Sequence, residues 1–267
     1  MKQVFASLLP GLMLLACNSA EKEAPPDPMD GVYQMTSQSF QGENYDTTLT
    51  SNQQLKIFDG TFMMYTRYNP ADSNSAFGIG TYTVSGDTVT ENILFTASDT
   101  LMNDSPRTYR LLVQKSVVGY NQIIPQIEDA NGTYKLTEFY DSKGSDVTCP
   151  LDGVWKLAKQ YYLENGDTVW VVGTQYKVYH KGYFVWGRTY LDSTNVRHTG
   201  IGWGKYAAEG DGKLKESVFS STFSDTREQD FEISYQMNGD DGYQQTLTNS
   251  LGQRVTEVYE RVKKPAS

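Results

Sequence analysis

Asp30-Gly31-Val32-Tyr33 and Asp152-Gly153-Val154-Trp155 are one opening written twice, 122 residues apart. Much of the chain downstream of each copy also recurs. Gly60-Thr61-Phe62-Met63-Met64 answers Gly182-Tyr183-Phe184-Val185-Trp186 at the same offset, which lays Phe62 on Phe184 and Met64 on Trp186. Gly78-Ile79-Gly80-Thr81-Tyr82 with Gly86-Asp87 matches Gly202-Trp203-Gly204-Lys205-Tyr206 with Gly210-Asp211 at an offset of 124, and Leu136-Thr137-Glu138-Phe139-Tyr140 matches Val255-Thr256-Glu257-Val258-Tyr259 at 119. Offsets that drift by only a few residues mark a duplicated domain with loop insertions and deletions. The expected units are residues 30–144 and 151–264, joined by a short link through Cys149-Pro150.

Inside each unit the period is two. Leu55 and Ile57 share one face of a strand, as Tyr176 and Val178 do in the second copy. A turn at Asp59-Gly60, or Lys181-Gly182, leads into a strand with Phe62 and Met64, or Phe184 and Trp186, on one side, which is a hairpin signal. Further turns fall at Ser85-Gly86-Asp87 and Glu209-Gly210-Asp211-Gly212, and no helical period is sustained beyond the N-terminal apolar run. With 19 Tyr and 13% aromatic residues, the composition suits strands and tight turns. The expected fold is all-β: two tandem antiparallel meander barrels behind a signal peptide and a disordered tether. Each barrel should close its own core and meet the other across a modest interface of about 600–1,500 Å².

The first 16 residues read as a signal peptide, with a positive start at Met1-Lys2 and an apolar run from Val4 to Leu15. Leu14-Leu15-Ala16-Cys17 resembles the lipobox of bacterial lipoproteins. That resemblance implies an acylated Cys17 as the first mature residue and a membrane partner held through lipid. Residues 17–29, rich in Glu, Asp and Pro, read as a tether. Asn18 and the Glu21-Lys22-Glu23 run point to the outer membrane and leave the leaflet open. With Cys17 given to lipid, Cys149 has no intramolecular partner. The formal net charge of −9, without a dense Lys/Arg cluster, argues against a nucleic-acid partner.

Gly153-Val154-Trp155 resembles the first-strand signature of lipocalins, in which the indole plugs the closed end of the barrel; Gly31-Val32-Tyr33 carries Tyr instead. The likeness implies a cation from the last strand over that indole, supplied by Arg254, with Lys135 as its counterpart, or by Arg261. The Thr-Asp-Tyr triplet of classical lipocalins is absent. A closer likeness is to bacterial lipocalin-like domains of unknown function. It rests on Lys177-Val178, Gly182, Phe184 and Trp186, then Gly202, Gly204, Tyr206, Gly210-Asp211 and Glu216, with Gly78, Gly80, Tyr82, Gly86-Asp87 and Glu91 in the first copy. It implies a barrel and a secreted or lipid-anchored protein, and carries no known reaction.

Catalytic and metal patterns are sparse. His180 and His198 are the only histidines, no Cys or carboxylate lies at metal-ligand spacing from either, and no Gly-x-Ser-x-Gly elbow occurs. No metal, cofactor or catalytic residue is assigned. Glu91 and Glu216 follow matching hairpins and read as members of an exposed strand. Asp87-Thr88-Val89, Asp99-Thr100-Leu101 and Asp167-Thr168-Val169 resemble short O-glycosylation acceptors, although Asp then Thr is also what a turn entering a strand contains. All four Trp lie in the second copy. Ligand-binding candidates there are Phe184, Trp186, Arg188, Trp203 and Tyr206, for a small hydrophobic or glycan ligand, with protein partners unknown. Three classes stay open: a non-enzymatic envelope binding protein, a structural or interaction subunit of an envelope complex, and a hydrolase with a dispersed site.

Overall fold

The computed structural model describes residues 27–264 apart from residues 44, 99–101, 104, 130–131 and 193. The signal peptide, Cys17, most of the tether and Asp99-Thr100-Leu101 lie outside the described residues. The first unit runs β1 (Gly31–Gly42), β2 (Tyr45–Leu49), β3 (Gln53–Asp59), β4 (Phe62–Asn69), β5 (Asn74–Ser85), β6 (Thr88–Ser98), β7 (Met102–Asn103), β8 (Arg107–Lys115), β9 (Gly119–Asp129) and β10 (Gly132–Ser142). The second runs β11 (Gly153–Glu164), β12 (Asp167–Trp170), β13 (Gly173–His180), β14 (Tyr183–Leu191), β15 (Arg197–Gly210), β16 (Lys213–Ser221), β17 (Asp230–Met237), β18 (Gly242–Thr248) and β19 (Arg254–Arg261).

Both units are closed, eight-stranded antiparallel barrels. In the first, β1, β3, β4, β5, β6, β8, β9 and β10 pair in turn and β10 returns to β1; in the second, β19 returns to β11. Closure satisfies the strand edges that an open sheet would expose. β2 extends the β3 edge alongside the far half of β1, and β12 does the same beside β11.

The ladder registers correct one detail of the repeat. Phe58 pairs with Met63 and Tyr179 with Phe184, so the hairpins superpose at an offset of 121. Met63 is thus the counterpart of Phe184, Tyr65 of Trp186 and Phe62 of Tyr183. The matched glycines mislead because Gly60 is the first residue of its two-residue loop, at φ 50°, whereas in the second copy Lys181 (φ 47°) comes first and Gly182 (φ 80°) second. A slip of one residue moves a side chain to the other face of the sheet. Phe62 and Met64 therefore point out of their barrel, while Phe184 and Trp186 point in.

That outer face is where the barrels meet. Leu55, Ile57, Phe62, Met64, Phe77, Ile79 and Phe95 of the first barrel form one buried cluster with Val178, Tyr183, Val185, Ile201 and Trp203 of the second. The contact between the halves is thus an apolar core that both share. The Phe77 ring lies so close over Gly187 that a Cβ added there would sit 2.2 Å from it. Ser75 Oγ donates to the Thr199 carbonyl at 2.6 Å near one end of the interface, and Lys181 Nζ meets Asp30 at 2.6 Å near the other. The two barrels thus stand side by side with like ends together.

One end of each barrel is filled. Trp155 is fully buried, donates from Nε1 to the Leu151 carbonyl at 2.6 Å, and stands edge-on to Tyr243 at 4.7 Å. The cation over the indole is Arg261, 4.1 Å from the ring centroid, and its Nη1 donates to the Asp152 carbonyl. In the first barrel Tyr33 packs edge-on against Tyr120 at 4.8 Å, and the residue opposite it on β10 is Ser142, which brings no charge. Met29, assigned to the tether for its polar neighbours, is buried in this floor, as Leu151 is in the other. Trp155→Ala should lower the unfolding free energy by about 3–5 kcal/mol. Denaturant titration checks this, with a loss under about 1 kcal/mol marking the indole as dispensable.

Candidate functional site

Above each aromatic floor the barrel interior turns polar. Residues of β3 and β13 explain why: Leu55 and Ile57, or Tyr176 and Val178, face the shared core, so the alternate residues Gln54 and Lys56, or Gln175 and Lys177, must point inward. Lys56 and Lys177 are 2% and 4% exposed, and such burial requires a counter-charge. Glu91 and Glu216 supply it, at 2.5 and 2.6 Å. The exposed strand expected for both glutamates is corrected here. They are interior, because β6 and β16 turn the face carrying Val89 and Ile93, or Leu214 and Val218, into their barrels.

A second carboxylate in each barrel is bound by neutral donors. Glu138 accepts from Gln38 Nε2 at 2.8 Å, Gln122 Nε2 at 2.7 Å and Tyr140 Oη at 2.8 Å. Glu257 accepts from Gln160 Nε2 at 2.8 Å, Gln245 Nε2 at 2.6 Å and Tyr259 Oη at 2.9 Å. Gln54 and Gln175 donate in turn to Tyr140 and Tyr259, each at 2.5 Å. The two networks correspond residue for residue. One difference is that Tyr179, which donates to Glu216, has Phe58 as its counterpart. Burial first, and the nearby carboxylates second, hold Tyr140, Tyr259 and Tyr179 well above the usual phenol range, so their protons remain available as donors.

Beyond this layer the barrels open. The cavity of the second measures about 170 Å³ and is lined by Gln175, Trp186, Arg188, Phe223, Phe231 and Asn249 among others. That of the first measures about 270 Å³ and is lined by Gln54, Tyr65, Arg67, Tyr109, Leu111 and Leu136 among others. Trp186 stacks on Phe223 at 5.7 Å with the rings 13° from parallel, and Phe223 also meets Tyr190. Two glycines make room for the inward rings. A Cβ on Gly202 would strike Trp186 at 2.6 Å, and one on Gly78 would strike Tyr65 at 2.5 Å. Gly80 and Gly204 instead face neighbouring backbone at β-bulges, which is why Gly-x-Gly recurs.

Of the five residues grouped from the sequence, Phe184, Trp186 and Arg188 project into the second barrel. Phe184 is part of the filled floor, and Trp186 and Arg188 line the opening. Tyr206 lies low in the barrel and bonds to Asp152 Oδ1 at 2.5 Å. Trp203 points away, into the core between the barrels. Lys177, Glu216 and Glu257 appear in the sequence as motif or repeat residues, but their place in the barrel interior, with Gln175, Gln160 and Gln245, emerges only from the structure. Their signal was the recurrence of polar residues at alternate strand positions, such as Gln38 with Gln160 at the 122-residue offset of the openings.

Asp30, Asp59 and His180 bring ligand-type atoms within 4.8 Å of one another at the closed end of the interface, a grouping that sequence spacing did not indicate. Lys181 Nζ already stands 2.6 Å from Asp30, so a cation is built into the cluster. Burial raises the Asp59 carboxyl, with His180 opposing. Thr168 is exposed in the β11–β12 hairpin, whereas Thr88 is half-buried with its hydroxyl 3.3 Å from Asp87 Oδ1. Burial and the adjacent Asp152 push the Cys149 thiol up to about 12.

Residues 150–267 match a family model described as Domain of unknown function (DUF4488), a match that falls on the second barrel. No curated protein matches the chain.

Lys177→Met strands the Glu216 charge in the interior and should cost about 3–5 kcal/mol, whereas Lys177→Met with Glu216→Gln should regain most of that loss, since the amide still accepts from Tyr179. Thermal unfolding of the single and double variants measures the difference. The thiol gives a second expected outcome. In a soluble form begun at Asp27, where Cys149 is the only thiol, the native protein at pH 8 should react with a disulfide reagent at least tenfold more slowly than the denatured chain, because raising the pKa depletes the thiolate.

Proposed function

We propose that this is a non-enzymatic, lipid-anchored cell-envelope protein whose second barrel holds a small lipophilic or glycan ligand. The observation that carries the reading is the division of that barrel into a filled aromatic floor and an open upper chamber. The chamber presents an aromatic wall, Trp186 with Phe223, against amide and guanidinium groups of Gln175, Asn249 and Arg188. Apolar walls with a few fixed polar groups are the usual make-up of a small-molecule site. A binding rather than a catalytic role is supported by the engagement of Glu216 Oε1 by Lys177 and Tyr179, and of both Glu257 oxygens by Gln160, Gln245 and Tyr259.

The envelope assignment rests on Leu14-Leu15-Ala16-Cys17 and the acidic, proline-containing stretch behind it, with the outer membrane favoured. The chain enters the fold at the closed end of the first barrel, where Met29 is buried.

A second reading, an interaction subunit, is favoured by the rim of the same opening. Leu163, Trp170, Val172, Leu191, Val196 and Leu251 are all exposed there, Val172 to 80%. The readings separate experimentally. Purified protein should retain a native ligand visible by mass spectrometry under gentle ionisation, and its release should change the Trp186 emission, a change lost in Trp186→Phe. Recovery of empty protein with an unresponsive Trp186, together with a stable protein partner in a pull-down, would favour the interaction reading.

A further inference from the structure

Each chamber contains one arginine without an ionic partner, and the second also has Asp225 in its lining, where it accepts from the Ser250 hydroxyl. Glu91 and Glu216 are paired with lysines, and Glu138 and Glu257 each accept three hydrogen bonds. Arg67 and Arg188 occupy equivalent positions, opposite Gln54 on β3 and Gln175 on β13. Both line their cavities, and neither has a hydrogen-bond or ion-pair partner among the described residues, although the Arg188 guanidinium lies over the Tyr190 ring at 6.0 Å. The Nε of Arg188 is buried with no acceptor. A guanidinium offers five donors in a planar fork that suits two-oxygen anions, and leaving such donors buried and unmet is costly. Burial lowers the Arg188 pKa, with the Glu257 charge acting against the shift from a distance. Among the cations of each chamber, the arginine is therefore the one that lacks an ionic complement.

The rest of each chamber sets the body of the ligand. Beside Arg188 are the rings of Trp186 and Phe223, with Leu247 and Phe231; beside Arg67 are Tyr65, Tyr109, Leu111 and Ile124. An apolar cavity of about 150 Å³ accepts a molecule the size of benzene, so about 170 Å³ and about 270 Å³ suit an aromatic or short aliphatic group with its remainder in the mouth.

We propose that each barrel is a separate site for an amphipathic anion, its carboxylate- or sulfonate-type group held by Arg188 in the second barrel and by Arg67 in the first. This rests on the reading of the chambers as ligand sites and extends it, since the sequence placed candidate residues in the second barrel only.

Two dyes with the same kind of aromatic frame test it on the two-barrel protein: 1-anilinonaphthalene-8-sulfonate, which is anionic, and N-phenyl-1-naphthylamine, which is not. The anionic dye should bind at two equivalents and at least tenfold more tightly than the neutral one. Arg188→Met and Arg67→Met should each remove one equivalent of the anionic dye and leave the neutral dye bound, and Arg188→Lys and Arg67→Lys should retain part of the binding. Melting temperatures report whether each variant is folded, and the lysine variants carry the comparison if a methionine variant is not. Equal binding of both dyes, indifferent to either arginine, would overturn the anion assignment and leave the chambers as ligand sites. Loss of a single equivalent with Arg188→Met while Arg67→Met is silent would overturn the second site. Binding of neither dye would overturn this proposal and the reading beneath it together.

Discussion

The structure depends on a wall of strands that is buried on both faces. In a barrel standing alone in water, the outward residues of β3, β4 and β5 would be polar and the inward ones apolar. Here the outward side of that wall is sealed against the other barrel, so it carries Leu55, Ile57, Met64 and Phe77. Alternation then assigns Gln54, Lys56 and Arg67 to the inside. A barrel whose wall must be apolar on its outer face, and which still has to enclose a solvent-reachable chamber, puts its polar side chains within.

Such an interior is costly unless its buried charges are for the most part met. The pairing of Lys56 with Glu91 and the three donors around Glu138 meet that requirement, and the second barrel repeats the solution with Lys177, Glu216 and Glu257. The two chambers differ where a ligand would be felt. Trp186 with Phe223 in one takes the place of Tyr65 in the other, while the polar base beneath them is kept. The floors differ too: Trp155 under Arg261 in one, Tyr33 opposite Ser142 in the other.

Much of this is legible in the amino-acid sequence. The duplicated Gly-Val-aromatic opening, the period of two and the Gly-Asp turns give two β-barrels in tandem, and Gly-x-Trp points to the indole of the floor. Direction is not legible. A period of two separates Phe184 from Val185 but does not say which of them looks into the barrel, and with both faces buried, hydrophobicity no longer tells them apart. For that reason the pattern sets Glu216 on an exposed strand and Trp203 beside the ligand candidates, where the structure has neither. The register slip at Gly60 has a similar origin. Both copies need a positive φ at the first loop position, but one fills it with Gly60 and the other with Lys181, placing its glycine one residue later at Gly182.

The contact between the barrels has a geometry of its own. β4 lies against β14, β5 against β15 and β3 against β13, so each strand meets its own counterpart. Like ends also lie together, which makes the arrangement an approximate two-fold rotation about an axis running along the barrels. Self-complementary packing of this kind is what joins the subunits of a symmetric homodimer. A chain holding a single repeat with this apolar wall would be under the same pressure to cover it and would find the matching surface on a second copy of itself. Seen this way, the link through Cys149-Pro150 does more than connect two domains: it makes permanent, and free of concentration dependence, a dimerisation that separate repeats would have to achieve by collision.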